Sequence, residues 1–98
     1  MAKINWTHEA ECWLKDIFDF ISLDSAEAAT RVVGEIYERT QILIRFSKVG
    51  HRYEAIENRE VRILLYGHYR IAYLIKSDED IDILGVFHGS LDIQRYLI

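Results

Sequence analysis

Four side chains in the second half of this 98-residue chain are of types that could act together on a phosphodiester: Arg70, His88, Arg95 and Tyr96. Metal-independent cleavage of RNA needs a base for the 2′-hydroxyl, an acid for the leaving oxygen, and cations around the pentavalent phosphate. Histidine titrates in the right range, arginine clamps phosphate through two hydrogen bonds, and tyrosine can stack or donate. Each residue also has a plainer structural reading. Arg70 in a strand could pair with Asp82 or Glu60 on a neighbouring strand. His88 could be a hydrogen-bonded connector at a strand end. Arg95 and Tyr96 lie in the tail SLDIQRYLI, whose Leu91, Leu97 and Ile98 would cap a core. Arg59 and Arg62 read as solvated charges around a strand, and Trp6 and Trp13 as packing residues. Cys12 has no basic neighbour in sequence that would activate a thiolate.

Composition limits the setting in which such residues could work. The length fits one domain, residues 1–98, with a single modest core. Half of the residues are hydrophobic and 29% are charged, which is ordinary for a globular protein and wrong for disorder. A lone cysteine and the lack of any Cys/His cluster at metal-ligand spacing lead us to expect no disulfide, no metal and no cofactor, in a cytoplasmic setting. No apolar run approaches the roughly 20 residues needed to span a bilayer. The formal net charge of −4 argues against nucleic-acid binding through bulk positive charge, and leaves phosphate contacts only to a local patch.

The elements that would position these side chains follow from the hydrophobic pattern. Val61–Tyr66, Tyr69–Ile75 and Ile81–Phe87 are apolar runs of strand length, rich in Val, Ile, Leu, Tyr and Phe. Gly67-His68 is short enough for a tight hairpin, and the polar Ser77–Asp80 cluster reads as a second turn. An antiparallel meander of three strands results. Upstream, Lys3–Trp6 (KINW) could add an edge strand. Thr7 stands where a helix N-cap belongs, with Glu9 and Glu11 in the first turns, where the helix dipole favours negative charge. Ala10, Trp13, Leu14, Ile17, Phe18 and Ile21 then recur at helical spacing.

Asp24 and Glu27 have capping-box spacing for a second helix. Its stripe holds Ala29, Val32, Val33, Ile36, Thr40 and Leu43, extending toward Phe46, with Glu35 and Arg39 as an exposed pair four residues apart. Ser47–Asn58, with Gly50, reads as a loop. The predicted fold is therefore α+β: an N-terminal strand, an antiparallel helical hairpin on a mainly antiparallel sheet of three to four strands, and a short C-terminal tail. Strand alternation assigns Ile71, Tyr73 and Ile75, with Ile83 and Phe87, to the helix-covered face. Arg70 and His88 then lie on the other face beside Leu74, Leu84 and Val86, so either the sheet is buried locally on both faces or, the favoured reading, the second face receives a partner.

A Tyr-Arg-Ile-x-Tyr strand (Tyr69-Arg70-Ile71-Ala72-Tyr73) closing on His-Gly-x-x-Asp (His88-Gly89-Ser90-Leu91-Asp92) resembles the ParE/RelE toxin superfamily. The Ser25-Ala26-Glu27-Ala28-Ala29 helix opening and Gly50 are similar to its ParE branch. The resemblance spans nearly the whole chain and implies a small cytoplasmic toxin of a type II toxin–antitoxin system. It further implies a cognate small antitoxin, ParD-like or similar, as partner, and two alternative targets. A ParE-like member poisons DNA gyrase and needs a complementary surface rather than a catalytic set. Here Arg62, Leu74, Leu84, Val86 and Arg95 are the candidate contacts with target or antitoxin, together with Ile42 and Ile44 beside the helix stripe.

A RelE-like member is a ribosome-dependent endoribonuclease, for which Arg70, His88, Arg95 and Tyr96 are the candidates. The acidity of the chain and its few lysines favour the gyrase branch. A third reading is a degenerate toxin that only binds its antitoxin. It is kept because Lys48–Asn58 lacks the proline-containing turn common in the family, and Tyr66-Gly67-His68 stands where a Gly-Arg pair is frequent.

Overall fold

Thr7 starts the first helix and ties it to the last strand. In the computed structural model, which describes residues 2–76, 80–89 and 93–97, its hydroxyl accepts from the Ala10 amide at 3.1 Å and donates to the Ile83 carbonyl at 2.7 Å. β1 (Ile4–Trp6) thus leads straight into α1 (His8–Ser22). The second helix, α2 (Ala26–Thr40), is capped by Ser25 and not by Asp24: the Ser25 hydroxyl accepts from the Ala28 amide at 3.1 Å. A one-residue shift satisfies the same group of orphan amides, so either side chain fits the sequence signal.

Downstream of Thr40 the chain tightens into a 3₁₀ turn, Gln41–Ile44. Tighter winding breaks the 3.6-residue stripe. Leu43 stays buried, whereas Phe46, expected on the same stripe, is exposed. The expected Glu35–Arg39 pair does not form either. Glu35 faces Arg31 at 3.8 Å and accepts from the Tyr66 hydroxyl, while Arg39 donates to the Leu65 carbonyl at 3.3 Å.

The remaining elements are β2 (His51–Arg52), β3 (Glu60–Tyr66), β4 (Tyr69–Ile75), β5 (Ile81–His88) and a short α3 (Gln94–Leu97). Among the described residues they form a five-stranded mixed sheet of order β1-β5-β4-β3-β2. This corrects the expected three or four mainly antiparallel strands in two places. β1 pairs in parallel with β5, Ile4 opposite Ile81 and Trp6 opposite Ile83. The stretch read as a loop contributes β2, antiparallel to β3, which is too short to show alternation. Gly67 has a φ of 55° in the β3–β4 turn, where a two-residue hairpin demands positive φ. Ser77, Asp78 and Glu79 of the second expected turn lie outside the described residues.

A β-bulge decides which side chains share a face. Ala72 pairs with Gly85 but Tyr73 pairs with Ile83, so Leu84 is an extra residue in β5. Beyond it the alternation inverts. Val86 joins Ile71, Tyr73, Ile81 and Ile83 in the core under the helical hairpin, with Ala10, Ile36, Leu43 and Leu64. Phe87, expected there, lies on the opposite face with Ile63, Ala72 and Ile93, and Trp13, Tyr53, Leu84 and Leu97 pack against that group. Gly85 accommodates this: a Cβ at that position would sit 2.5 Å from the Phe87 ring. The chain's own C-terminal segment therefore covers part of the second face.

Candidate functional site

Arg70 and His88 leave the sheet on opposite faces, because Arg70 pairs with Phe87 and His88 with Tyr69 across the inverted register. Both nevertheless reach one open cleft at the β3–β4 turn, lined also by Leu65, His68, Tyr69 and Gly89. Arg70 donates to the Gly89 carbonyl at 3.2 Å, and the Gly89 amide donates to the His68 carbonyl at 2.8 Å. These bonds hold the hairpin turn against the end of β5. The His68 and His88 rings lie 6.3 Å apart and nearly parallel, with Tyr69 edge-on to His88 at 5.9 Å. The expected pairing of Arg70 with Asp82 or Glu60 is not what forms. Asp82 holds Lys76 at 3.2 Å and Asn5 at 3.3 Å, and Glu60 holds Arg62 at 2.9 Å. Asp92 of the His-Gly-x-x-Asp segment lies outside the described residues, as do Ser90, Leu91 and Ile98.

Tyr96 belongs to a different cleft. Its ring meets Trp13 edge-on at 4.9 Å and stacks over Phe87 at 5.8 Å. Leu84, Arg59 and Thr7 line the same cleft. Arg95, on the same short helix, is exposed. The four candidates for phosphodiester chemistry are thus divided: Arg70 and His88 at the hairpin end, Tyr96 in an aromatic cleft beside α1, and Arg95 exposed on the short helix that carries Tyr96. Among the described residues, no group of three or more His, Cys, Asp or Glu side chains could hold a metal ion.

The contact candidates separate by burial. Val86 is fully buried and is a core residue, not a surface one. Leu74 and Leu84 are half-buried on the second face. Arg62, read as a solvated charge, is 19% exposed and spends its donors internally, on Glu60 at 2.9 Å and on the Lys48 and Gly50 carbonyls at 3.1 and 2.7 Å. Of the helix-side candidates, Ile42 packs against the main core. The sequence reading also missed His8, one helical turn before Cys12, with Nε2 at 3.6 Å from its sulfur.

The Arg62 clamp has a buried counterpart that spacing did not reveal. The Tyr73 hydroxyl accepts from the Gly50 amide at 3.0 Å and donates to the Ser47 carbonyl at 2.7 Å. A tyrosine in the centre of an apolar strand was the available signal, since a buried phenol must find partners. Burial raises the Tyr73 hydroxyl above its ordinary 10.0, against a smaller opposing effect of the Gly50 bond. The folded state therefore keeps a proton that the unfolded chain releases first. This contribution to stability is fully present below pH about 10 and is lost as pH rises through the folded value. Urea titrations across that range should show a steeper alkaline loss for the wild type than for Tyr73→Phe. Equal slopes would mean that the phenol does not titrate across unfolding.

The fold is a helical hairpin laid on one face of a mixed sheet, with β1 in parallel beside β5. A chain of a chromosomal ParDE toxin–antitoxin system from P. aeruginosa has the same fold, with a TM-score of 0.73 and 24% identity over 90% of this chain and 96% of that one. The model of the ParE toxin of type II toxin–antitoxin systems, parDE, matches residues 4–93. The chain belongs to the ParE toxin family. No curated protein matches it in sequence.

Proposed function

We propose that this ParE-family toxin arrests growth by poisoning DNA gyrase in the cytoplasm, and that a ParD-like antitoxin neutralises it. The observation that carries the reading is the family match across residues 4–93. The division of Arg70 and His88 from Tyr96 between two clefts supports action through a surface over action through a convergent catalytic set. The half-buried Leu74 and Leu84 and the exposed Arg95 are contacts on this reading. Arg62 and Val86 are not, because they are engaged inside the fold.

Purified protein in a gyrase supercoiling and DNA-cleavage assay should accumulate cleaved DNA, and added antitoxin should relieve the effect. No cleavage at several-fold molar excess over gyrase, together with translation arrest in a cell-free system, would overturn the gyrase reading. It would move attention to the Arg70–His88 cleft as a ribonuclease site.

A further inference from the structure

We propose that the turn running from Arg45 to Arg52 is the docking surface for an acidic, apolar-anchored segment of the antitoxin. The identity of that partner rests on the function proposed above; the chemistry of the surface does not. Although the chain is acidic overall, residues 39–76 hold eight of its 12 Lys and Arg but three of its 16 Asp and Glu. Positive charge is thus concentrated in the middle of the sequence. The fold brings part of it to the free edge of the sheet, where β2 is the last strand in the order.

Arg45, Lys48, His51 and Arg52 are all exposed there. Among the described residues, the ion pairs involve none of Arg45, Lys48 and Arg52, although Arg52 donates to the Glu57 and Arg59 carbonyls at 3.3 and 3.5 Å, so Arg45 and Lys48 carry the charge of the surface. Two large apolar side chains alternate with these cations along the turn, Phe46 at 59% and Val49 at 49% exposure. The 3₁₀ turn that precedes them is what removes Phe46 from the helix stripe.

The surface is braced from within. The Phe46 amide donates to the Ile42 carbonyl at 2.9 Å, the Val49 amide to the Phe46 carbonyl at 3.0 Å, and Arg62 grips the carbonyls of Lys48 and Gly50. A pre-formed surface loses little conformational freedom when it is covered. Cations around apolar anchors fit a peptide whose carboxylates flank bulky apolar residues: the charges steer the encounter and the anchors supply burial. The backbone of duplex nucleic acid offers nothing for Phe46 and Val49 to bury against.

The test uses the toxin and its co-encoded antitoxin. Hydrogen–deuterium exchange of the toxin, free and bound, should slow across residues 45–52. The variants Arg45→Glu/Lys48→Glu and Phe46→Ser should each weaken antitoxin binding at least tenfold with unchanged melting temperatures, and wild-type affinity should fall steeply with salt. Unchanged affinity in both variants, with exchange slowed only elsewhere, overturns the inference and leaves the toxin assignment standing. Failure of the wild type to bind any antitoxin overturns both. A 20-base-pair duplex whose binding is lost in the charge variant while antitoxin binding persists would reassign the surface to nucleic acid. Self-association lost in the same way would reassign it to a second copy, and either result overturns the proposal.

Discussion

Gly50→Ala is expected to destabilise the protein by about 3 kcal/mol or more, the upper range for overpacking a filled interior, and to lower the melting temperature by about 12–24 °C for a domain of this size. The added methyl would lie 2.6 Å from the Ile63 carbonyl oxygen and 2.8 Å from both a ring carbon and the hydroxyl of Tyr73. The carbonyl belongs to β3, held between β2 and β4, and the Tyr73 ring is fully buried. Neither can withdraw as a flexible side chain would. Displacing the tyrosine would also break its bonds to Gly50 and Ser47, leaving polar groups unpaired at about 1–3 kcal/mol each. Urea denaturation of Gly50→Ala, Tyr73→Phe and the double variant tests this. The double variant should be less destabilised than the sum of the singles, because one clashing atom is gone. A loss below about 1 kcal/mol for Gly50→Ala would mean that the turn simply moves aside.

The second large effect separates two neighbours in β5. Val86→Asp should cost about 4 kcal/mol or more, since it places a carboxyl in an apolar core without a partner. That is most of the total stability of many small domains. Leu84→Asp, at the half-exposed bulge position, should cost about 1 kcal/mol of lost apolar burial. Simple alternation would assign both to the same face and equal treatment. Circular dichroism should show Val86→Asp largely unfolded and Leu84→Asp folded. Comparable losses in the two would contradict the register inversion at Leu84.

That contrast also marks where sequence reasoning stopped. The three long strands, both helices, the Thr7 cap and the Gly67 turn were legible, because period, capping chemistry and a positive-φ requirement are local properties. The bulge was not. Ile83, Leu84, Gly85 and Val86 are all apolar or small, so nothing in their types says which one drops out of the ladder. β2 was invisible for a different reason: two residues have no period, and the bonds that fasten the adjoining turn come from Arg62 and Tyr73, 12 to 26 residues away in sequence. The candidate site was legible in membership but not in grouping. Arg70 and His88 do share a cleft, though from opposite faces, and Tyr96 joined Trp13 and Phe87 through contacts between residues distant in the chain. Val86 and Arg62 were assigned to the surface because alternation and charge alone placed them there.

The pairing of β1 with β5 has a consequence for the order in which the molecule is made. Ile4 finds its partner at Ile81, and Thr7 bonds to Ile83. The first strand therefore waits for the last to leave the ribosome, roughly 4–15 s at 5–20 residues per second. During that interval the two helices can pair but the sheet cannot close. Synthesis thus leaves the seam between β1 and β5, and the Thr7 tie that fastens α1 to it, among the last parts of the sheet to form.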